Sequence, residues 1–246
     1  MSDPVAAPAL ALHGVCAVVT GASRGIGRAL AGALAAAGAQ TFLLARSADA
    51  LSRVALELGG GAVAVPCDVT RAEDVERAVQ RIREHHAEGP AILVNNAGIF
   101  PLGAIEHTDP LRFEETLKAN LLAPFRLLHA FVPLMRAAGR GHVITIGSVA
   151  DRSIYAGNGA YSASKFGARA LHEVLREELR GSGIRATLVS PSATDTPLWD
   201  PIDPDHTPGV PPRAAMLRPD DVADAVLWAV TRPRHVNLDE IRLSRA

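Results

Sequence analysis

The sequence predicts one α/β domain: a doubly wound parallel sheet of about seven strands with helices on both faces. Two observations carry this. From Gly14 onward, short β-rich runs alternate with helical patterns of roughly 10–20 residues, the order that parallel sheets require. The strand runs are apolar throughout rather than alternately, as expected of strands covered on both faces. The 246 residues are 48% hydrophobic and 21% charged, so the chain can bury a sizeable core without disulfide or metal staples.

Val15–Thr20 reads as the first strand, followed by a glycine turn and a helix from Gly25 to Ala37, with Gly38 suited to its C′ position. Thr41–Ala45 is a second strand, 48–58 a helix and Val63–Cys67 a third strand. Thr70 and Glu73 have the spacing of a capping box, opening a helix that runs to His86. Ile92–Val94 is the fourth strand. Asp109, followed by Pro110, caps a long helix to Ala138, with bends expected near Pro124 and Pro133. Val143–Ile146 is a strand, Ala160–Arg180 a helix and Ala186–Val189 a strand. Pro219 opens a last helix ending near Val230, and Val236–Leu243 is the final strand. The irregular stretch 191–218, rich in Pro and Asp, is expected to be a functional loop.

The formal net charge of −1 argues against a nucleic-acid surface or a polybasic membrane anchor. No apolar run is read as approaching the ~18 residues of a membrane span. The apolar stretch Val5–Leu12 lacks a basic leader, follows Asp3 and is broken by Pro8, so residues 1–12 are expected to be a tail and 13–246 the domain. Cys16 and Cys67 form no CxxC, and His13, His107 and His206 have no metal-ligand spacing. A reduced cytoplasmic protein without metal is the expectation.

Thr20-Gly21-Ala22-Ser23-Arg24-Gly25-Ile26-Gly27 joins the first strand to the first helix. Glycines there let backbone approach a pyrophosphate, and the helix N-terminus presents free N–H groups to it. The spacing is Gly-x-x-x-Gly-x-Gly, and a glycine-rich turn without a ligand has the same appearance. About 20 residues on, where an acidic residue would hold an NAD ribose, the chain reads Leu44-Ala45-Arg46-Ser47. Arg46, with Arg24, is suited to the 2′-phosphate of NADP; each alone also reads as a solvated arginine. Asp68 and Asn95-Asn96-Ala97-Gly98 follow strands at the sheet edge where α/β proteins bind ligands.

Tyr161 and Lys165 lie four apart on one helix and share a face. A phenol near pKa ~10 is a poor acid–base at neutral pH, and an adjacent ammonium favours its phenolate. The chain has only two lysines, Lys118 and Lys165, against 23 arginines, so Lys165 reads as kept for a task. Ser148, at the end of the fifth strand, and Asn120, inside the long helix, complete the set; alone they read as a turn serine and a surface asparagine. Asp151 and Arg152 read either as substrate contacts or as a surface ion pair.

Together these residues resemble the short-chain dehydrogenase/reductase family, from Gly14 to Leu243. The matching pieces are the 20–27 glycine turn, Asp68-Val69, Asn95 to Gly98, Asn120, Ser148, Tyr161, Lys165 and the segment from Pro191. The resemblance implies a Rossmann-type fold, a nicotinamide cofactor and a Ser-Tyr-Lys-Asn site. Tyr161 is then the general acid–base, and Lys165 lowers its pKa and holds the nicotinamide ribose. Ser148 orients the substrate oxygen, and Asn120 supports a water relay behind Lys165. The cofactor contacts implied are Gly21, Ser23, Arg24, Gly25, Ile26, Gly27, Arg46, Asp68, Val69, Asn95, Ala97, Gly98, Tyr161, Lys165, Thr194 and Thr196. Ser192 stands where the family usually has glycine. The ending, which has no glycine after Gly209, is more similar to the 3-hydroxy acid dehydrogenase and sepiapterin reductase-like branches. The expectation is an NADP(H)-dependent carbonyl reductase or alcohol dehydrogenase, a homodimer or homotetramer, acting on a small molecule. Its alternatives are an idle NADP-binding regulator and an epimerase or dehydratase on the same fold.

Overall fold

The computed structural model describes residues 11–246; most of the expected tail, residues 1–10, lies outside the described residues. Leu12, the end of that expected tail, is buried and its N–H donates to the Ala37 carbonyl (2.8 Å), so packed structure begins before residue 13.

Seven parallel strands stand in the order β3-β2-β1-β4-β5-β6-β7. They are β1 (Cys16–Thr20), β2 (Gln40–Ala45), β3 (Val63–Pro66), β4 (Ile92–Asn95), β5 (Gly141–Ile146), β6 (Ile184–Pro191) and β7 (Glu240–Leu243). The last is four residues rather than the eight expected, because Asn237 pairs by its side chain with the Ala186 backbone (3.1 Å) ahead of it. The strand order reverses between β1 and β4, which opens a crevice at their carboxyl ends.

Helices α1 (Gly25–Ala36), α2 (Ala48–Leu58) and α7 (Pro219–Val230) cover one face, and their core includes Leu30, Leu34, Leu51, Val222 and Val226. Helices α3 (Ala72–His85), α5 (Ala123–Ala138) and α6 (Gly159–Glu178) cover the other, burying Val75, Ile82, Leu127, Phe131, Met135 and Leu175. The covered strands bury Val18, Phe42, Leu43 and Leu93 completely, which is why they read as apolar runs.

Three expectations change. The Thr70–Glu73 capping box does not form: the Thr70 N–H and hydroxyl both donate to Asp68 Oδ1 (3.0 and 2.7 Å), and α3 starts at Ala72. The long helix is not one bent rod. Helix α4 (Pro110–Leu117), capped by Asp109 as expected, passes into a π-helical turn, Lys118–Leu122, before α5. Pro124 has no N–H for the Asn120 carbonyl, and the Ala123 N–H bonds the Lys118 carbonyl five residues back. The combined Pro110–Ala138 run also meets the length and mean hydropathy (1.2) of a membrane span, contrary to the sequence reading; here it packs Leu127, Phe131 and Met135 into the core.

Candidate active site

The glycine turn and the β4 loop are stitched together at the crevice by Thr20. Its hydroxyl donates to the Val94 carbonyl (3.1 Å) and accepts from the Asn96 and Ala97 N–H groups (2.9 and 3.0 Å). The Asn96 amide donates to the Thr20 carbonyl (2.8 Å). The sequence reading quoted Thr20 only as the start of the turn; a hydroxyl closing a strand before glycines was the available signal. Gly21 and Gly25 adopt φ of 68° and 55°, the left-handed region open to glycine. A Cβ on Gly27 would stand 2.2 Å from the Gly21 carbonyl oxygen, so the turn cannot close over any larger residue.

The expected cofactor residues gather along this edge. Arg24 and Arg46 are exposed at the ends of the glycine turn and β2. Asp68, half-buried past β3, is held below its ordinary carboxylate range: burial pushes it up, but the two Thr70 hydrogen bonds and the charges of Arg46 and Arg71 outweigh that. Asn95, at the end of β4, is buried with neither oxygen nor nitrogen of its amide partnered among the described residues. Thr194 and Thr196 are buried beyond β6, and Thr196 lies against Gly25, where a Cβ would approach its side chain to 3.1 Å. The Ser192 N–H donates to the Leu243 carbonyl (2.8 Å) and the residue lies outside the left-handed region, so this position does not require the glycine that the resemblance implies. An exposed arginine pair, an unpartnered Asn95 amide and a glycine cradle suit a nicotinamide dinucleotide.

Ser148, Tyr161 and Lys165 gather beside this cradle, and Asn120 lies behind them, linked through Ser164 to the Tyr161 backbone. The Ser148 hydroxyl faces the Tyr161 phenol, whose pKa it lowers, and accepts from the Ala150 N–H (3.1 Å). The Lys165 Nζ lies 5.6 Å from the Tyr161 ring centre and donates to the Ile146 carbonyl (2.8 Å). The π turn aims Asn120 inward: its amide donates to the Ile99 carbonyl and to Ser164 Oγ (both 2.9 Å), and its oxygen accepts from the Ile99 N–H (2.8 Å). Asn120 is therefore buried, not on the surface.

The electrostatics differ from the sequence expectation. Burial pushes the Tyr161 phenol up to about 12; the Ser148 hydrogen bond works against this, and the Asp151 carboxylate reinforces it. Burial likewise takes the Lys165 ammonium down to about 8, opposed by Asp151. The phenol sits above rather than below ~10 because desolvation outweighs its polar neighbours.

Asp151 is neither a surface ion pair nor an open contact. Its side chain is 0% exposed. One oxygen accepts from Arg152 Nε (2.8 Å) and lies 3.5 Å from Arg169. The other accepts from Ser190 Oγ (2.6 Å) and from the Ser148 N–H (3.5 Å), closing a reciprocal cap around the turn that carries Ser148. Glu240 of β7 pairs with both arginines. Two further aromatic rings extend in a row from Tyr161. Phe100 meets it edge to face (4.6 Å, 68°), and Trp199, from the loop after β6, meets Phe100 in the same way (4.9 Å, 69°).

Known proteins share this fold and family. Residues 15–207 match the short chain dehydrogenase family. Glycine betaine reductase ATRR of Emericella nidulans is 40% identical over 237 residues, 94% of this chain, although the chain spans only 18% of that protein's length. Among solved structures, a metagenomic short-chain oxidoreductase in complex with NADP is 34% identical with a TM-score of 0.82, covering 96% of this chain and 99% of that one. The alcohol dehydrogenase of the archaeon Thermococcus sibiricus complexed with 5-hydroxy-NADP is 31% identical with a TM-score of 0.83, covering 94% and 97%. Seven parallel strands in this order, the glycine turn before α1 and the family match over most of the length make the chain a member of the short-chain dehydrogenase/reductase family of oxidoreductases.

Proposed function

We propose that this protein is an NADP(H)-dependent oxidoreductase that interconverts a carbonyl compound and an alcohol, with Tyr161 as general acid–base. The observation that carries the reading is the meeting of the Ser148 hydroxyl, the Tyr161 phenol and the Lys165 ammonium beside the glycine cradle. When bound, the nicotinamide cofactor supplies or accepts the hydride. The chain's own residues do the rest. Ser148 donates to the substrate oxygen and orients it. Tyr161 gives that oxygen a proton in reduction and takes it in oxidation. Lys165 offers its charge to the phenolate and a donor to the ribose, while Asn120 holds the loop at Ile99 and backs the relay toward Lys165. Arg46 and Arg24, with no carboxylate at the end of β2, support NADP over NAD.

Exposed Leu111, Phe113, Leu122 and Phe125 on the α4–α5 run, with Phe166 and Val174 on α6, support a homodimer or homotetramer. The buried, unpaired Cys16 and Cys67, both pushed up to about 12 by burial, support a reducing, cytoplasmic setting. The test is cofactor oxidation by the purified protein, NADPH against NADH, over a panel of ketones and aldehydes. Turnover with NADPH is expected. Tight NADPH binding without turnover of any carbonyl would instead establish an idle binder, and product formed without net cofactor oxidation an epimerase or dehydratase.

A further inference from the structure

Substrate choice depends on what surrounds Tyr161, and the loops there have a distinct chemistry. Phe100, Tyr161 and Trp199 come from three separate segments and pack edge to face in sequence. The loop carrying Phe100 is tied to the one before α6 by a hydrogen bond from the Gly103 N–H to the Gly157 carbonyl (2.8 Å) and by a bridge between Gly103 and Asn158. These joined loops leave Ile105, Ile154 and Tyr155 exposed at 82%, 77% and 48%. Apolar side chains held in the open beside a crevice are more informative than single exposed residues elsewhere.

The arginines of the same segments are already neutralised. Arg152 and Arg169 face Asp151 and Glu240, two cations against two carboxylates. Arg213, in the loop that carries Trp199, pairs with Asp195 (2.5 Å) and Asp200 (2.7 Å), one cation against two carboxylates. The loop 96–108 contains no lysine or arginine. A carboxylate brought in on the substrate would have to separate one of these pairs, leave its partner unpaired and meet net negative charge on the Trp199 loop.

We infer that the substrate is a carbonyl compound without an acid group, bearing an aryl or bulky apolar group packed against Phe100 and Trp199, and not a keto or hydroxy acid. This rests on the oxidoreductase reading above and narrows it. An aryl ring suits the wall, because offset or edge-to-face contact with Trp199 adds attraction beyond burial of area. It also departs from the hydroxy-acid branch that the chain's ending resembles. The C-terminal segment instead contributes Glu240, which engages the arginines a substrate acid would otherwise use.

The experiment compares an aryl 2-oxo ester with the 2-oxo acid of the same skeleton, so that the reacting carbonyl is shared and only the charge differs. NADPH oxidation should give the ester a kcat/KM about 100-fold above the acid. Trp199→Ala should lower kcat/KM for the ester, chiefly through KM, without altering the KM for NADPH. A binding arm separates this inference from the catalytic one. The chain has two tryptophans, and ester quenching of Trp199 emission is read against Trp199→Phe, in which Trp228 alone emits. Ester binding without turnover would support the substrate class while overturning the redox reading. Equal or better use of the acid, or failure of the ester to bind, would overturn the class.

Discussion

Replacing Asp151 with asparagine tests the buried charge cluster directly. The side chain is 0% exposed, while its partners Arg152 and Arg169 are 25% and 30% exposed. Asparagine keeps the shape and an oxygen for the Ser190 hydroxyl, now 2.6 Å away, but removes the charge. Both arginines would then face Glu240 alone. Removing one member of a buried pair costs about 3–5 kcal/mol. The retained acceptor and the partial water access of the arginines place this variant at the lower end, about 3 kcal/mol. For a chain of this size each kcal/mol moves Tm by about 2–4 °C, so Asp151→Asn should melt roughly 6–12 °C lower. Thermal unfolding followed by circular dichroism reads this. A second readout concerns chemistry: the Asp151 charge disfavours the Tyr161 phenolate, so its removal should move the pH limb of alcohol oxidation to lower pH. A Tm within about 2 °C of the unmodified protein, with an unmoved pH limb, would refute the view that this carboxylate braces the Ser148 turn.

Tyr161→Phe should cut turnover by about 10²–10⁴-fold with NADPH binding retained, measured by steady-state kinetics beside fluorescence titration. With Lys165 taken down to about 8 and Tyr161 held at about 12, the phenol stays protonated while the ammonium is lost first. Carbonyl reduction should therefore be level below pH 8 and fall above it, and Lys165→Arg, impaired overall, should lack that limb because a guanidinium keeps its charge. Arg46→Ala should raise the KM for NADPH by about 10-fold and leave that for NADH unchanged, since only the former carries the 2′-phosphate. His142 and His172 are kept neutral by burial, down to about 3 and about 4. Their unfolded forms gain protons first as pH falls, so stability should be full above pH ~6.5 and decline toward pH ~4, by about 1.4 kcal/mol per pH unit for each, in urea titrations. His142→Gln/His172→Gln should flatten that decline.

The sheet was legible because its information is local. Fully covered strands must be apolar over their whole length, and Asp109 with Pro110 announces a helix start that the structure keeps. Tyr161 and Lys165 were legible for a related reason: scarcity and spacing, one lysine four positions from one tyrosine, put both on one helix face, whereas Ser148 and Asn120 were read from the family resemblance. What failed depends on partners distant in sequence or on competition between acceptors. Thr70 had a valid capping pattern, but Asp68 two residues away offered a carboxylate that bound both its N–H and its hydroxyl. Pro124 marked a disturbance in the long helix, yet sequence gave no way to choose a bend over a π turn. The choice follows from Asn120, whose side chain is held by Ile99 on one side and Ser164 on the other. Satisfying both from within a regular helix would require the turn to open by one residue, and the missing N–H of Pro124 is what makes that opening inexpensive. Asp151 was the hardest to foresee. Beside Arg152 it has the appearance of a solvated pair, and only Ser190, Arg169 and Glu240, supplied by β6, α6 and β7, convert it into a buried brace beneath Ser148. The same tertiary environment explains the Tyr161 phenol: a lysine four residues away was visible in the sequence, whereas the desolvation that raises the phenol exists only once the chain folds and Phe100 packs against the ring.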